Sequence, residues 1–146
     1  MMDEKLLVIG HAVVTWFLCG LIMVVQVVHY PLFEMVDRAR FAAFETAHSN
    51  RIGLIVAPAM LLEVIAVGAL LVMRPTGIPV WALWLGTGLV AVVWLTTAFV
   101  SVPQHAVLAN GFDEAAHRRL VDTNWIRTLA WLARGMLAFW FLLRLN

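Results

Sequence analysis

Charged residues make up only 13% of this chain, and Cys19 is its single cysteine. A lone cysteine inside an apolar run excludes an internal disulfide and a thiolate metal cage, and leaves small-residue packing as its role. The formal net charge is +1, which excludes the basic footprint of a nucleic-acid binder. The opening M-M-D-E-K carries two acids and one base ahead of an apolar span too long for a cleaved signal peptide, so none is expected.

What the chain has in excess is apolar surface. Hydrophobic residues reach 63%, with seven Trp and a mean hydropathy of +0.91, against roughly 45–50% apolar in soluble domains. Four runs, at about residues 6–28, 52–73, 80–102 and 126–143, each approach the ~20 residues that cross a bilayer. With no water to satisfy backbone groups in lipid, these runs are expected to be helices. The reading is one all-α domain: a polytopic membrane protein built as a four-transmembrane-helix bundle in the lipid bilayer.

The connection R74-P-T-G-I-P79 reads as a tight turn, since Pro75 and Pro79 stop helices and Gly77 permits positive φ. The other two connections, each about 20 residues long by the span limits above, fall together on the opposite membrane face. They hold Arg38, Arg40, Arg51, Arg118 and Arg119, with Arg127 at the edge, against Lys5, Arg74 and Arg144 on the first face. By the positive-inside rule the long connections are cytoplasmic. Trp81, Trp125 and Trp140 fall near span ends as interface-seeking aromatics do, whereas Trp16, Trp94 and Trp131 lie deeper and suggest bundle packing.

Nearly all polar side chains capable of chemistry lie in the two long connections and the helix heads beside them. His29-Tyr-Pro31 is answered by Pro103-Gln-His105, and Glu45-Thr-Ala-His48 by Glu114-Ala-Ala-His117. This suggests two tandem helical-hairpin repeats related by an axis along the membrane normal. Pro31 is expected to end or kink helix 1, and Phe33, Val36, Phe41 and Phe44 to form an amphipathic segment in the interface or leading into helix 2. Pro58 is expected to break the helix one turn above Glu63.

E-x-x-H sets a carboxylate and an imidazole on one side of a helix, the spacing used by four-helix di-iron proteins. His29, Glu45, His48, His105 and His117 are therefore candidate metal ligands for iron, copper or zinc, or neighbours of a haem b. The competing reading of each histidine is an ordinary hydrogen bond, and Glu114 is also accounted for by the helix dipole. On the last helix, His117, Leu120, Asn124, Arg127, Trp131 and Arg134 recur every three or four residues as a single stripe, expected to face the bundle interior. Asp113 is placed to cap that helix. Glu63 is the only carboxylate deep in a span, and depth arithmetic at 1.5 Å per residue sets it within ~5 Å of Arg134, so a buried ion pair is expected. Glu63, Arg134, Asn124 and Arg127 are the candidate catalytic or anchoring groups. His11, near the opposite surface, is either a haem ligand or a packing histidine.

The segments H29-Y-P-L-F, H48-S-N-R-I, P58-A-M-L-L-E63 and A116-H-R-R-L-V-D-T-N-W-I-R-T128 resemble an uncharacterised family of small four-helix bacterial membrane proteins. The resemblance covers nearly the whole chain and implies the fold and a bacterial inner-membrane location. The anthrone-oxygenase-like membrane proteins are similar in size and span count only. In the first half, H11-A-V-V-T-W-F-L-C-G-L21, Arg51 and P58-A-M60 are similar in order to the small membrane protoporphyrinogen oxidases, which bind haem. That resemblance implies haem ligation by His11, although helix 3, beginning V80-W-A-L-W-L-G, lacks the family's basic haem-associated residue.

Three functions are compatible with these residues. One is a redox protein with a metal or haem near one membrane face, acting on a lipophilic substrate or quinone. Another is a small proton-coupled transporter relaying through Glu63 and the histidines. The third is an accessory or assembly subunit of a larger membrane complex, or a homo-oligomer, docking through small-residue faces such as Ala82-x-x-x-Gly86.

Overall fold

The structure, a computed structural model, describes residues 2–145. Four rods account for nearly all of them: α1 (Asp3–Met35), α2 (Phe41–Met73), α3 (Val80–Leu108) and α4 (Glu114–Leu143). Each is long and apolar enough to cross a membrane. The described residues form a four-helix membrane bundle with no strand. At 1.5 Å per residue the 33 residues of α2 reach about 50 Å, well beyond the ~30 Å hydrocarbon core. The helices therefore absorb most of the two stretches that read as long connections, and only residues 36–40 and 109–113 remain as links.

Two rods change pitch near their ends. Val25–His29 in α1 and Thr97–Ser101 in α3 are π-helical turns, and each is followed shortly by a proline, Pro31 and Pro103. A proline offers no N–H to the carbonyl four residues back and crowds it, so the preceding turn widens. Pro31 thus does not end α1 but converts it to a 3₁₀ turn over Pro31–Met35. Pro58, expected to break α2, sits inside an uninterrupted helix. Both halves of the chain share one plan: a rod with a π turn before its proline, a short link, then a long rod.

The amphipathic segment leads into α2, which begins at Phe41, and forms a plug rather than lying in the interface. Phe33 and Phe41 are buried and pack with Val25, Tyr30, Leu108 and Leu120 to close the link end of the bundle. At the other end Arg74 takes a left-handed conformation (φ 46°) and Gly77 follows at φ 89°, producing the tight α2–α3 turn. A side chain at Gly77 would also meet the Arg144 carbonyl at 2.9 Å. Asp113 caps α4, its Oδ1 accepting from Ala116 N at 2.7 Å.

In cross-section α1 packs on α2 and α4, and α3 packs on α2 and α4, so α2 and α4 face each other across the diagonal. The interior stripe on α4 is confirmed: His117, Leu120, Asn124, Arg127, Trp131 and Arg134 are all buried. Of the deeper tryptophans only Trp131 packs inside, whereas Trp16 and Trp94 reach the outer surface. Ala82 and Gly86 point inward and are buried, so that small-residue face is already used within the bundle.

Candidate functional site

Three polar layers cross the bundle. The first, toward the chain termini, centres on Glu63 and Arg134, which form the expected pair across the α2–α4 diagonal. From α1, Thr15 Oγ1 donates to the Glu63 carboxylate at 2.9 Å, and His11 Nε2 lies 2.6 Å from Arg134 Nη2. From α3, the bare Cα of Gly86 makes room for the guanidinium: a Cβ there would sit 2.7 Å from Arg134 Nη1. All four helices meet in this cluster. His11 is enclosed in it and lines neither of the two cavities described below. Its Nε2 faces Arg134 and Glu63, and its Nδ1 is buried without a partner.

The middle layer is built on the π turns. Gln26 Oε1, in the first, accepts from Asn124 Nδ2 at 2.7 Å, and Gln26 Nε2 donates to the Val121 carbonyl at 3.2 Å. Ser101, in the second, accepts from Arg127 Nη1 at 3.2 Å, and the same nitrogen donates to Asn124 Oδ1 at 3.1 Å. Asn124 and Arg127 are thus brought together, as their spacing implied, but far from Glu63 and Arg134. The four candidate catalytic residues divide between two layers.

The third layer occupies the link end. His105 Nδ1 donates to Glu45 Oε1 at 2.6 Å, and the Tyr30 hydroxyl lies 2.9 Å from His105 Nε2. Since Nδ1 carries the hydrogen toward the carboxylate, neutral Nε2 accepts from the tyrosine, giving a phenol–imidazole–carboxylate chain. Ser49 Oγ also donates to Glu45 Oε1 at 2.9 Å. His48 Nδ1 lies 2.8 Å from His29 Nε2, while His48 Nε2 and Glu45 Oε2 are buried without partners. His117 stands apart: its Nε2 donates to the Tyr30 carbonyl at 2.8 Å and Phe33 stacks on its ring.

Four of the five candidate metal ligands adjoin as the pairs Glu45–His105 and His29–His48, with the His48 and His105 rings 5.7 Å apart, and His117 stands off with its Nδ1 3.4 Å from Glu34 Oε1. Among the described residues no three His, Cys, Asp or Glu side chains gather in a geometry that could hold a metal ion. The two E-x-x-H motifs are not structural equivalents. Glu45 is fully buried in α2, whereas Glu114 is exposed in the first turn of α4 and pairs only with Arg118. Spacing alone does not distinguish a motif one turn into a buried helix from one at a solvated helix start.

Alongside the middle and third layers, down to the apolar layer below them, lies a cavity of about 400 Å³. Its polar end is made by Tyr30, His48, Ser49, Ser101, His105 and Arg127, and its apolar end by Leu18, Met60 and Trp131. Ala57, Trp94 and Val102 line it and are exposed on the outer surface, so its mouth opens between α2 and α3 toward lipid. A smaller cavity of about 300 Å³ lies on the outer side of His48, between His29, Arg51 and Ile55. Sequence reasoning missed Tyr30, Gln26, Ser101 and Thr15. Two signals pointed to them: Tyr30 is the only tyrosine, and Gln26 is the one amide inside the first apolar run. Comparison with family models, curated proteins and solved structures returns no match.

Proposed function

We propose that the protein binds, within the membrane, a lipophilic small molecule bearing an oxygen-containing head, the quinone class among them, and exchanges a proton with it. The observation that carries this is the cavity: an apolar space open laterally to lipid, closed at one end by convergent polar groups. The acid–base group is the Tyr30–His105–Glu45 chain. Glu45 fixes the imidazole tautomer, His105 takes the tyrosine proton, and Tyr30 presents its hydroxyl to the cavity. Ser101 and Arg127 supply further donors for a carbonyl or hydroxyl oxygen.

The transporter reading has less support. An apolar layer of Leu18, Ile22, Met60, Val93 and Trp131, drawn from all four helices, separates Glu63 from His29, His48, His105 and His117. The docking-subunit reading loses the Ala82/Gly86 face to internal packing.

Trp94 and Trp131 line the cavity and serve as reporters. Ubiquinone-1 added to the purified protein in detergent is expected to quench tryptophan emission saturably. Gly53→Leu or Ala57→Phe, which narrow the cavity, should remove the saturable part. Quenching that rises linearly and equally in all three proteins would reject the reading.

A further inference from the structure

Arg127 is buried to 7% exposure, yet no carboxylate of the described residues lies within ion-pair distance of it. Its Nη1 is used by Ser101 and Asn124, but Nε is enclosed without a partner and Nη2 makes no hydrogen bond with a described residue. Nε is sealed from the cavity, so Nη2 is the nitrogen left to donate to an occupant, beside the Tyr30 side chain. Glu45, the carboxylate at the same end of the cavity, is taken by His105 and Ser49. A buried guanidinium lining an apolar cavity without a counter-charge is costly, and an anionic occupant removes that cost.

We propose that the occupant is a single-chain lipophilic carboxylate of the long-chain fatty acid class, its carboxylate accepting from Nη2 of Arg127. This rests on the reading of the cavity as a lipophilic-ligand site. Position and shape agree with charge. Arg127 lies at the head of the outward apolar belt of α4, which begins at Trp125 and Ile126, so a head group on it sits at the hydrocarbon edge. Arg127 lies one turn, about 6 Å, on the link side of Trp131, within a wall of α2 that runs from His48 to Met60, about 18 Å by helical rise, so the head sits inside the slot and the chain leaves through the lateral mouth. That is an elongated slot for a chain, with its mouth facing the lipid from which the chain would enter.

The test uses cis-parinaric acid, a fluorescent long-chain acid, bound to the purified protein in dodecyl maltoside. It is displaced in parallel by oleate and by its uncharged methyl ester. Oleate is expected to displace the probe at least tenfold more effectively than methyl oleate. Arg127→Gln should abolish that difference, and Arg127→Lys, which keeps the charge, should restore part of it. If acid and ester displace equally from the unaltered protein, the cavity still takes lipophiles and the carboxylate assignment falls. If no saturable binding of probe, oleate or ester is seen, the cavity reading falls with it. The acid–ester comparison on unaltered protein decides the matter even where an Arg127 variant does not fold.

Discussion

Glu63 is held by groups from two other helices: Arg134 pairs with it, Thr15 donates to it, and His11 lies 3.5 Å from its Oε1. Removing one member strands the other in a low-dielectric interior. Glu63→Leu and Arg134→Met should therefore each cost about 3–5 kcal/mol. The double variant Glu63→Leu/Arg134→Met should lose clearly less than the sum, because neither charge is then left alone. Thermal unfolding in detergent of the four proteins measures this, and strictly additive losses would show that the two side chains do not act as a pair. The pairing is legible in the sequence because charge is so scarce in the spans that depth alone selects the partners. His11, Thr15 and Gly86 are not legible in the same way. Within a span that is apolar all round, the helical period no longer marks an inward face. The third layer shows the converse. Glu45, His48 and His105 are recognisable as reactive groups, but which of them pair depends on how α2 and α3 are rotated, and Tyr30 joins them in a phenol–imidazole–carboxylate chain that their spacing does not reveal.

Among the elements, α3 carries no Asp, Glu, Lys or Arg and contributes most by what it omits. Gly86 lets Arg134 reach Glu63, since a Cβ at that position would sit 2.7 Å from Arg134 Nη1 and 3.3 Å from Leu137 Cδ2. The guanidinium cannot swing aside without leaving Glu63, so Gly86→Ala should cost on the order of 1–3 kcal/mol as an overpacked core does. Gly88→Ala is the control: its Cβ meets nothing within 4 Å, and the change should stay within about 0.5 kcal/mol. In an Arg134→Met background the cost at Gly86 should fall. A Gly86→Ala variant as stable as the Gly88→Ala variant would remove this role for α3. Helix number, the tight turn and the α4 cap are readable from hydropathy, Pro/Gly punctuation and Asp113. Helix length is not, because hydropathy ends where lipid ends, while α1 and α2 continue beyond it on residues that bury Phe33, Phe41, Glu45 and His48 in the bundle. The π turns also escape sequence reasoning. A proline signals disturbance, but the extra residue per turn that aims Gln26 and Ser101 inward depends on their neighbours across the bundle.

At the scale of the whole molecule, polar groups occur toward both ends, and it matters whether they connect. The termini and the Arg74–Pro79 turn share one end, and the links at 36–40 and 109–113 share the other. Between the Glu63 cluster and the cavity stands an apolar layer to which every helix contributes, with Trp131 as its largest member. That layer is about one helical turn thick, the distance from Met60 to Glu63 on α2 and from Trp131 to Arg134 on α4. A proton entering through the histidine end therefore meets a dry partition before it reaches Glu63, and in this conformation the site exchanges with one membrane face and with the lipid, not with both faces. Proteoliposomes carrying the protein should accordingly hold an imposed pH gradient as long as protein-free vesicles do, with or without oleate. A gradient that collapses faster in the presence of protein, and does so less in Glu63→Gln, would mean that the partition opens and that Glu63 and the histidines form one relay. A gradient that holds leaves two separate devices on one bundle: a four-helix ionic clasp toward the termini and a lateral ligand site with its own acid–base chain toward the links.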